Sequence, residues 1–421
     1  MTSEEMRAAG RLATRTLADT VSNVEQIHRA AATRIFALTG PAGVPVRVVH
    51  NGIATGVYTL IRSAGLAAGW AASEVAGVAA GSARPVGSTP RSNLAVAVLN
   101  AFLGHELAEQ GSPLAIPMAI RRDRADIVPE RDALEAAFPE ATTKVAVFVH
   151  GLTLNEESWR LHADRHGHGE EATYGSRFAE DFGYTPVYLR YNSGLHISEN
   201  GHHLATLLEK VVGAWPVPVT ELLLVGHSMG GLVARSACHQ AMERGDSWVP
   251  AVRHIFYLGT PHLGAGLEQW VNQLTAMLGR LDESRPLASV LNRRSAGIKD
   301  LRAGHLLDDD WRRADHGSKY PMCDVPLLPS AQHYAVSATV TAGRRNPLGR
   351  VVGDLLVQPA SARGRSRDGR HIPIPAEHKR HFEGLHHFRL LNHPPIYEAM
   401  REWLEPTSCV GSAVGSTLVS P

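Results

Sequence analysis

The stretch Leu222 to Ala237 reads LLLVGHSMGGLVARSA. A run of Leu and Val gives way to Gly226-His227-Ser228-Met229-Gly230, and a good helix-forming segment follows. This is the pattern G-x-S-x-G between a buried strand and a helix. A strand that turns sharply into a helix strains the residue at the tip. Its neighbours must lack side chains so that the backbones can pass closely. Gly226 and Gly230 meet that need and leave Ser228 presented at a helix N-terminus. The N–H groups and dipole there favour developing negative charge. The chemistry such a serine offers is nucleophilic attack on an acyl carbon.

A serine alone is a weak nucleophile and needs a base, and a group that orients the base. In doubly wound proteins that carry this motif, the acid follows a later strand and the histidine comes last. Asp354, in VVGDLLVQPASA, stands after the strand His333 to Val340 and is the candidate acid. Asp324 and Asp308 to Asp310 are rivals, but they precede that strand. For the base, GLHHFRLLNHPP offers His386, His387 and His393. His393 abuts the prolines that open the last helix and reads as a cap or an exposed group. That leaves His386 and His387. His162, His166 and His168 cluster in LHADRHGHGEE, but with no diagnostic ligand spacing. They read as a solvated loop, and neither metal nor cofactor is expected.

These residues need a scaffold. From Lys144 the chain alternates apolar strands and helices: KVAVFVHG, TPVYLRYN, the helix NGHHLATLLEKVVGAW, ELLLVG, a helix from Gly230, and the strand RHIFYLG. That rhythm predicts a mostly parallel sheet covered on both faces. Residues 264–330 break it with helical, charged pieces, so a helical lid or cap above the strand ends is expected there. The rhythm resumes at HYAVSATV, and PPIYEAMREWL is the final helix, with prolines where a missing N–H costs little. Residues 1–115 read as a helical N-terminal region, from apolar residues such as Leu17, Val21 and Val24 at helical spacing, a second stretch over 53–80 and a third over Leu94 to Glu109. Residues 116–143 lead in, with PLAIPMAIRR as a pair of short edge strands. The catalytic domain spans 144–404, and 405–421 form a flexible tail.

VFVHGL, LLLVGHSMGGLVAR, YLGTPHLGAGLE, GDLLVQPASA and HHFRLLNHPPIYEAMREWL together resemble the α/β-hydrolase superfamily. Within it they are similar to the esterase and triacylglycerol-lipase group related to GPI inositol-deacylases, over about Lys144 to Leu404. The resemblance implies a doubly wound α/β-hydrolase sheet and a triad of Ser228, Asp354 and His387. In such enzymes the final motif often reads Asn-His. Here His386 stands where that Asn does, which puts the base role on His387 and keeps His386 as the alternative. The resemblance also implies an oxyanion hole from the N–H groups of Leu152 and Met229. It gives His150, Gly151 and His262 loop-shaping roles. The implied activity is hydrolysis of moderately lipophilic carboxylic esters through an acyl-enzyme. An acyltransferase, or a hydrolase of phospholipids, polyesters or amides, fits the same residues. A silent lipid- or partner-binding scaffold is the reading from another class.

Composition bounds the rest. The chain has 421 residues, net charge +1 and 44% hydrophobic residues, so nothing points to nucleic acid. Cys238, Cys323 and Cys409 form no C-x-x-C pair, which fits a reducing compartment. MTSEEMRAAG has no apolar signal core, and Arg62 and Glu74 interrupt the most apolar run, Asn51 to Gly81. A cytoplasmic protein without a transmembrane segment is expected, with peripheral lipid contact left open. The N-terminal helices can pack on the hydrolase domain or on a second copy, which would give a homo-oligomer.

Overall fold

The central strands are apolar along their whole length, as strands covered on both faces must be. In the computed structural model, which describes residues 2–12, 14–15, 90–166, 172–264, 295–315, 323–340, 357, 361 and 371–405, they form one eight-stranded sheet. The elements in chain order are α1 (Pro90–Glu109), β1 (Ala119–Arg122), β2 (Ala125–Ile127), α2 (Arg131–Ala137) and β3 (Lys144–Val149). Then come α3 (Tyr174–Phe182), β4 (Tyr184–Arg190), α4 (Ile197–Ala214), β5 (Glu221–His227), α5 (Met229–Arg244) and β6 (Val252–Leu258). The chain continues through α6 (Ala296–Ala303), α7 (Asp308–Asp315), β7 (Gln332–Thr339), β8 (Lys379–Glu383) and α8 (Pro394–Leu404).

The strand order is β2-β1-β4-β3-β5-β6-β7-β8. From β4 to β8 every neighbouring pair is parallel, and the β1/β2 hairpin joins β4 antiparallel. Successive side chains point to opposite faces. Val145, Val147 and Val149 of β3 and Leu222 and Leu224 of β5 therefore join one core with α1, α4 and α5. Ala146, Phe148, Leu223 and Val225 join the other, with Phe178 of α3 and Ile396, Tyr397 and Met400 of α8. This is the α/β-hydrolase architecture that the sequence leads one to expect. The chain passes from β3 to β4 on one side, while β5 pairs with β3 on the other. That reversal falls at the carboxyl ends of β3 and β5, where doubly wound sheets place their sites.

Three parts depart from the sequence reading. The edge hairpin takes only the last four residues of PLAIPMAIRR as its first strand and has its second at Ala125–Ile127: Pro113 and Pro117 precede it, and its strands flank Asp123 and Arg124, both at positive φ, in a two-residue turn. The edge strand β8, KRHFE, pairs on one side only, so its sequence lacks the apolar run that marks a buried strand. Finally, the described parts of 264–330 are built into the main core. Ile298, Leu301, Leu306, Val325 and Leu328 are buried in it. Ser295 Oγ donates to the Ala101 carbonyl and Ser236 Oγ to that of Leu306. Residues 265–294, where the rest of the expected lid falls, lie outside the described residues, as do 16–89 and 406–421. Among the described residues no helix is long and apolar enough to cross a membrane.

α1 is tied to the sheet by buried Asn100. Its Nδ2 donates to the Leu114 carbonyl at 2.8 Å and its Oδ1 accepts from Ile116 N at 2.9 Å. Asn100→Leu leaves both backbone groups buried and unpaired. It should lower stability by about 2–4 kcal/mol, read as a lower urea midpoint at unchanged m-value. A midpoint within error of wild type would show that the anchor is not needed.

Candidate active site

β5 ends at His227, and the next residue makes the turn. Ser228 has φ 54° and ψ −123°, left-handed backbone that a non-glycine residue adopts only under constraint. Its N–H donates to the Leu258 carbonyl at the end of β6 (2.9 Å), and its carbonyl accepts from Gly231 N (3.1 Å). The glycines permit this. A Cβ on Gly226 would run into the backbone of Gly231, and one on Gly230 into the carbonyl oxygens of Val149 and His150. Ser228 Oγ is buried and has no hydrogen-bond partner among the described residues. Met229 opens α5, so its N–H is one of the unpaired donors of that N-terminus.

β3 delivers the facing loop. A Cβ on Gly151 would lie 3.0 Å from Ser228 Cβ and 3.1 Å from His227 Nδ1, so only glycine passes here without displacing them. Leu152 follows and is buried. His150 is wholly committed to shaping this loop. Its Nδ1 donates to the Gly151 carbonyl (2.8 Å) and its Nε2 accepts from Tyr191 N (3.3 Å). Its own carbonyl accepts from Tyr191 Oη (2.8 Å), and the two rings stack at 4.3 Å. Burial pulls the His150 pKa down to about 4, so the ring is neutral.

The C-terminal loop brings one of the two candidate bases to these strand ends. His387 is buried, with Nδ1 and Cε1 at 3.2 and 3.0 Å from where a Cβ on Gly259 would stand. Gly259 directly follows Leu258, whose carbonyl holds Ser228 N. His386 is only half-buried and its ring lies toward Phe388, with centroids 6.5 Å apart. His393 takes the N-cap position of α8, where its side chain makes no capping bond.

Asp354 lies outside the described residues. Of its rivals, buried Asp310 accepts from the backbone N–H groups of Leu306, Leu307 and Cys323, so its carboxylate is engaged elsewhere. Asp308 pairs with Arg312, and Asp324 is exposed. His262 is buried beside Arg235 (3.5 Å) and edge-on to Tyr257. Burial and the Arg235 charge hold its pKa well below the usual histidine value. His162 precedes a short helical turn over 163–166, and His168 lies outside the described residues. Among the described residues no three His, Cys, Asp or Glu side chains gather as a metal would need.

Two further residues stand at the site. Asn392, at φ 50°, accepts from Tyr174 N and donates to the carbonyls of Trp159 and Leu161, which joins the base loop to α3. Asn tolerates this backbone better than most residues, a weak signal in the sequence. His227 occupies the free position of the G-x-S-x-G motif, which carries no signal of its own.

The PGAP1-like alpha/beta domain family matches residues 140–321, which run from the lead-in to β3 through the Ser228 turn and α7. No curated protein matches the chain. Among solved structures, it is similar to the mature lipase BlEst2 of Bacillus licheniformis at 19% identity and a TM-score of 0.40, over 62% of this chain and 91% of that one. A thermophilic esterase from Thermogutta terrifontis matches at 13% identity and a TM-score of 0.34, over 63% and 90%. Phospholipase PlaB from Legionella pneumophila matches at 13% and 0.34, over 59% and 53%. The central part of the chain thus resembles the PGAP1-like alpha/beta domain.

The buried histidines set a pH dependence. His150 and His333 are lowered to about 4 by burial, and His227 and His262 well below 6.5. Below pH 6.5 the unfolded chain takes up protons that the folded protein refuses. Stability should therefore be flat above pH 7 and fall between about 6.5 and 4, by roughly 3 kcal/mol for each of His150 and His333. Urea unfolding at pH 8, 6 and 5 reads this, and a rise in stability on acidification would contradict it.

Proposed function

We propose that the protein is a serine-dependent carboxylic ester hydrolase acting through an acyl-enzyme. The observation that carries this reading is the backbone of Ser228. It is held at φ 54° on a glycine-flanked turn, at a helix N-terminus, beside Gly151 and at the same strand ends as His387. A strained serine in that setting has a chemical use and no structural one.

Ser228 Oγ attacks the ester carbonyl while His387 takes its proton. Charge gathers on the carbonyl oxygen, where the N–H groups of Leu152 and Met229 receive it. The carbon–oxygen bond to the alcohol breaks, and His387 gives the leaving alkoxide its proton. Water then attacks the acyl-enzyme, with His387 as base, and releases the acid and free Ser228. Asp354 is the group assigned to orient His387 and to stabilise its charged form. Buried Leu152 and Met229 beside the nucleophile favour moderately lipophilic acyl groups.

A panel of p-nitrophenyl esters from C2 to C16 tests this. The wild type should turn over, with a chain-length optimum that defines the acyl group. Ser228→Ala and His387→Ala should each lower kcat by about 10³-fold or more, and Asp354→Asn by up to about 10⁴-fold. An ester product formed on adding a short alcohol would show that transfer competes with hydrolysis. A Ser228→Ala variant as active as wild type would overturn the reading.

A further inference from the structure

His227 lies between the three parts of the site. It is the last residue of β5, adjoins Ser228 and is fully buried. Its Nε2 stands 3.4 Å from the carbonyl oxygen of His387. A carbonyl only accepts, so Nε2 carries the hydrogen and donates, and Nδ1 is left as a bare acceptor. The His227 ring lies against the His387 ring, with centroids 4.7 Å apart and planes at 48°. On its other side stands Trp159, edge-on, with centroids 6.4 Å apart. Nδ1 faces the Gly151 turn, 3.1 Å from where a Cβ would stand, and has no donor among the described residues.

We propose that His227 is a positioning residue for the base, tying the loop that carries His387 to the strand that carries Ser228. This rests on the reading of Ser228 and His387 as nucleophile and base. The base sits on a short 3-10 turn, His387–Leu390, beyond the edge strand β8, whereas the nucleophile sits on central β5. Their separation is therefore set by how that turn docks. The Nε2–H bond fixes the backbone of His387 itself, one atom pair from the strand end. The ring contact fixes the plane against which the imidazole rests. His227 can hold this position through the cycle because it does not compete for the proton. Burial, with His387 and His150 close by, holds its pKa well below the ordinary value, so it stays neutral while His387 is charged.

The side-chain chemistry separates the bond from mere bulk. Phe or Leu at 227 fills the space but leaves the His387 carbonyl without its donor. Gln carries an amide N–H at about the reach of Nε2. With active sites counted by fluorophosphonate labelling, His227→Phe should lower kcat for ester hydrolysis by about 10–100-fold, as expected for a misplaced reacting group, with KM within about 3-fold. His227→Leu should match it, and serves if Phe does not fold. His227→Gln should recover most of the loss. The acid limb of kcat/KM should follow one proton in both wild type and His227→Gln. Phe and Gln variants that are equally impaired while folded, or equally active, would overturn the proposal. So would a two-proton acid limb in wild type that becomes one-proton in the Gln variant. A folded wild type that neither labels nor turns over esters would instead overturn the reading of Ser228.

Discussion

The structure depends on how closely two backbones approach at the turn from β5 into α5. For α5 to leave β5 at that angle, its first residues must pass against the ends of β3. Gly230 lies so near the carbonyls of Val149 and His150 that no side chain fits, and Gly226 lies equally near Gly231. The turn then forces Ser228 into left-handed backbone, which costs about 1–3 kcal/mol. Burial on both faces of β3, β5 and β6 offsets that cost, because these strands have no other place to go.

The same approach creates the site. Holding α5 against β3 brings its free N-terminal N–H groups beside the Gly151-Leu152 turn. The Ser228 N–H is committed to Leu258, so the serine is also registered to β6. Gly259, the next residue of that strand's extension, gives the His387 ring its seat. Ser228, the facing turn and His387 thus share one set of strand ends. They are positioned by sheet register rather than by loop length. The loops are in turn pinned by buried polar side chains, with His150 and Tyr191 on one side and Asn392 with Tyr174 on the other.

The parts legible in the sequence are those where one physical demand dominates. VAVFV and LLLVG read as central strands because both faces are buried, and GHSMGG reads as a turn because nothing but glycine fits. The final helix was marked by its prolines. His387 was separable from His386 only through resemblance, since two adjacent histidines carry the same local signal and differ only in burial. KRHFE was illegible because an edge strand needs no apolar run. The helices over 296–303 and 308–315 read as part of a surface cap because their charges are plain in the sequence. The packing of the helix over 296–303 against distant α1 and α4 is not. His227 carries no signal within the motif, because its partner is a carbonyl 160 residues away.

The central claim is that Ser228 is an activated nucleophile, and covalent labelling tests it most directly. The wild type is treated with a fluorophosphonate, weighed intact and mapped by peptide. The account predicts one adduct per chain, on Ser228, and none in folded Ser228→Ala. A folded wild type that takes no label, or one labelled at another residue, would contradict it.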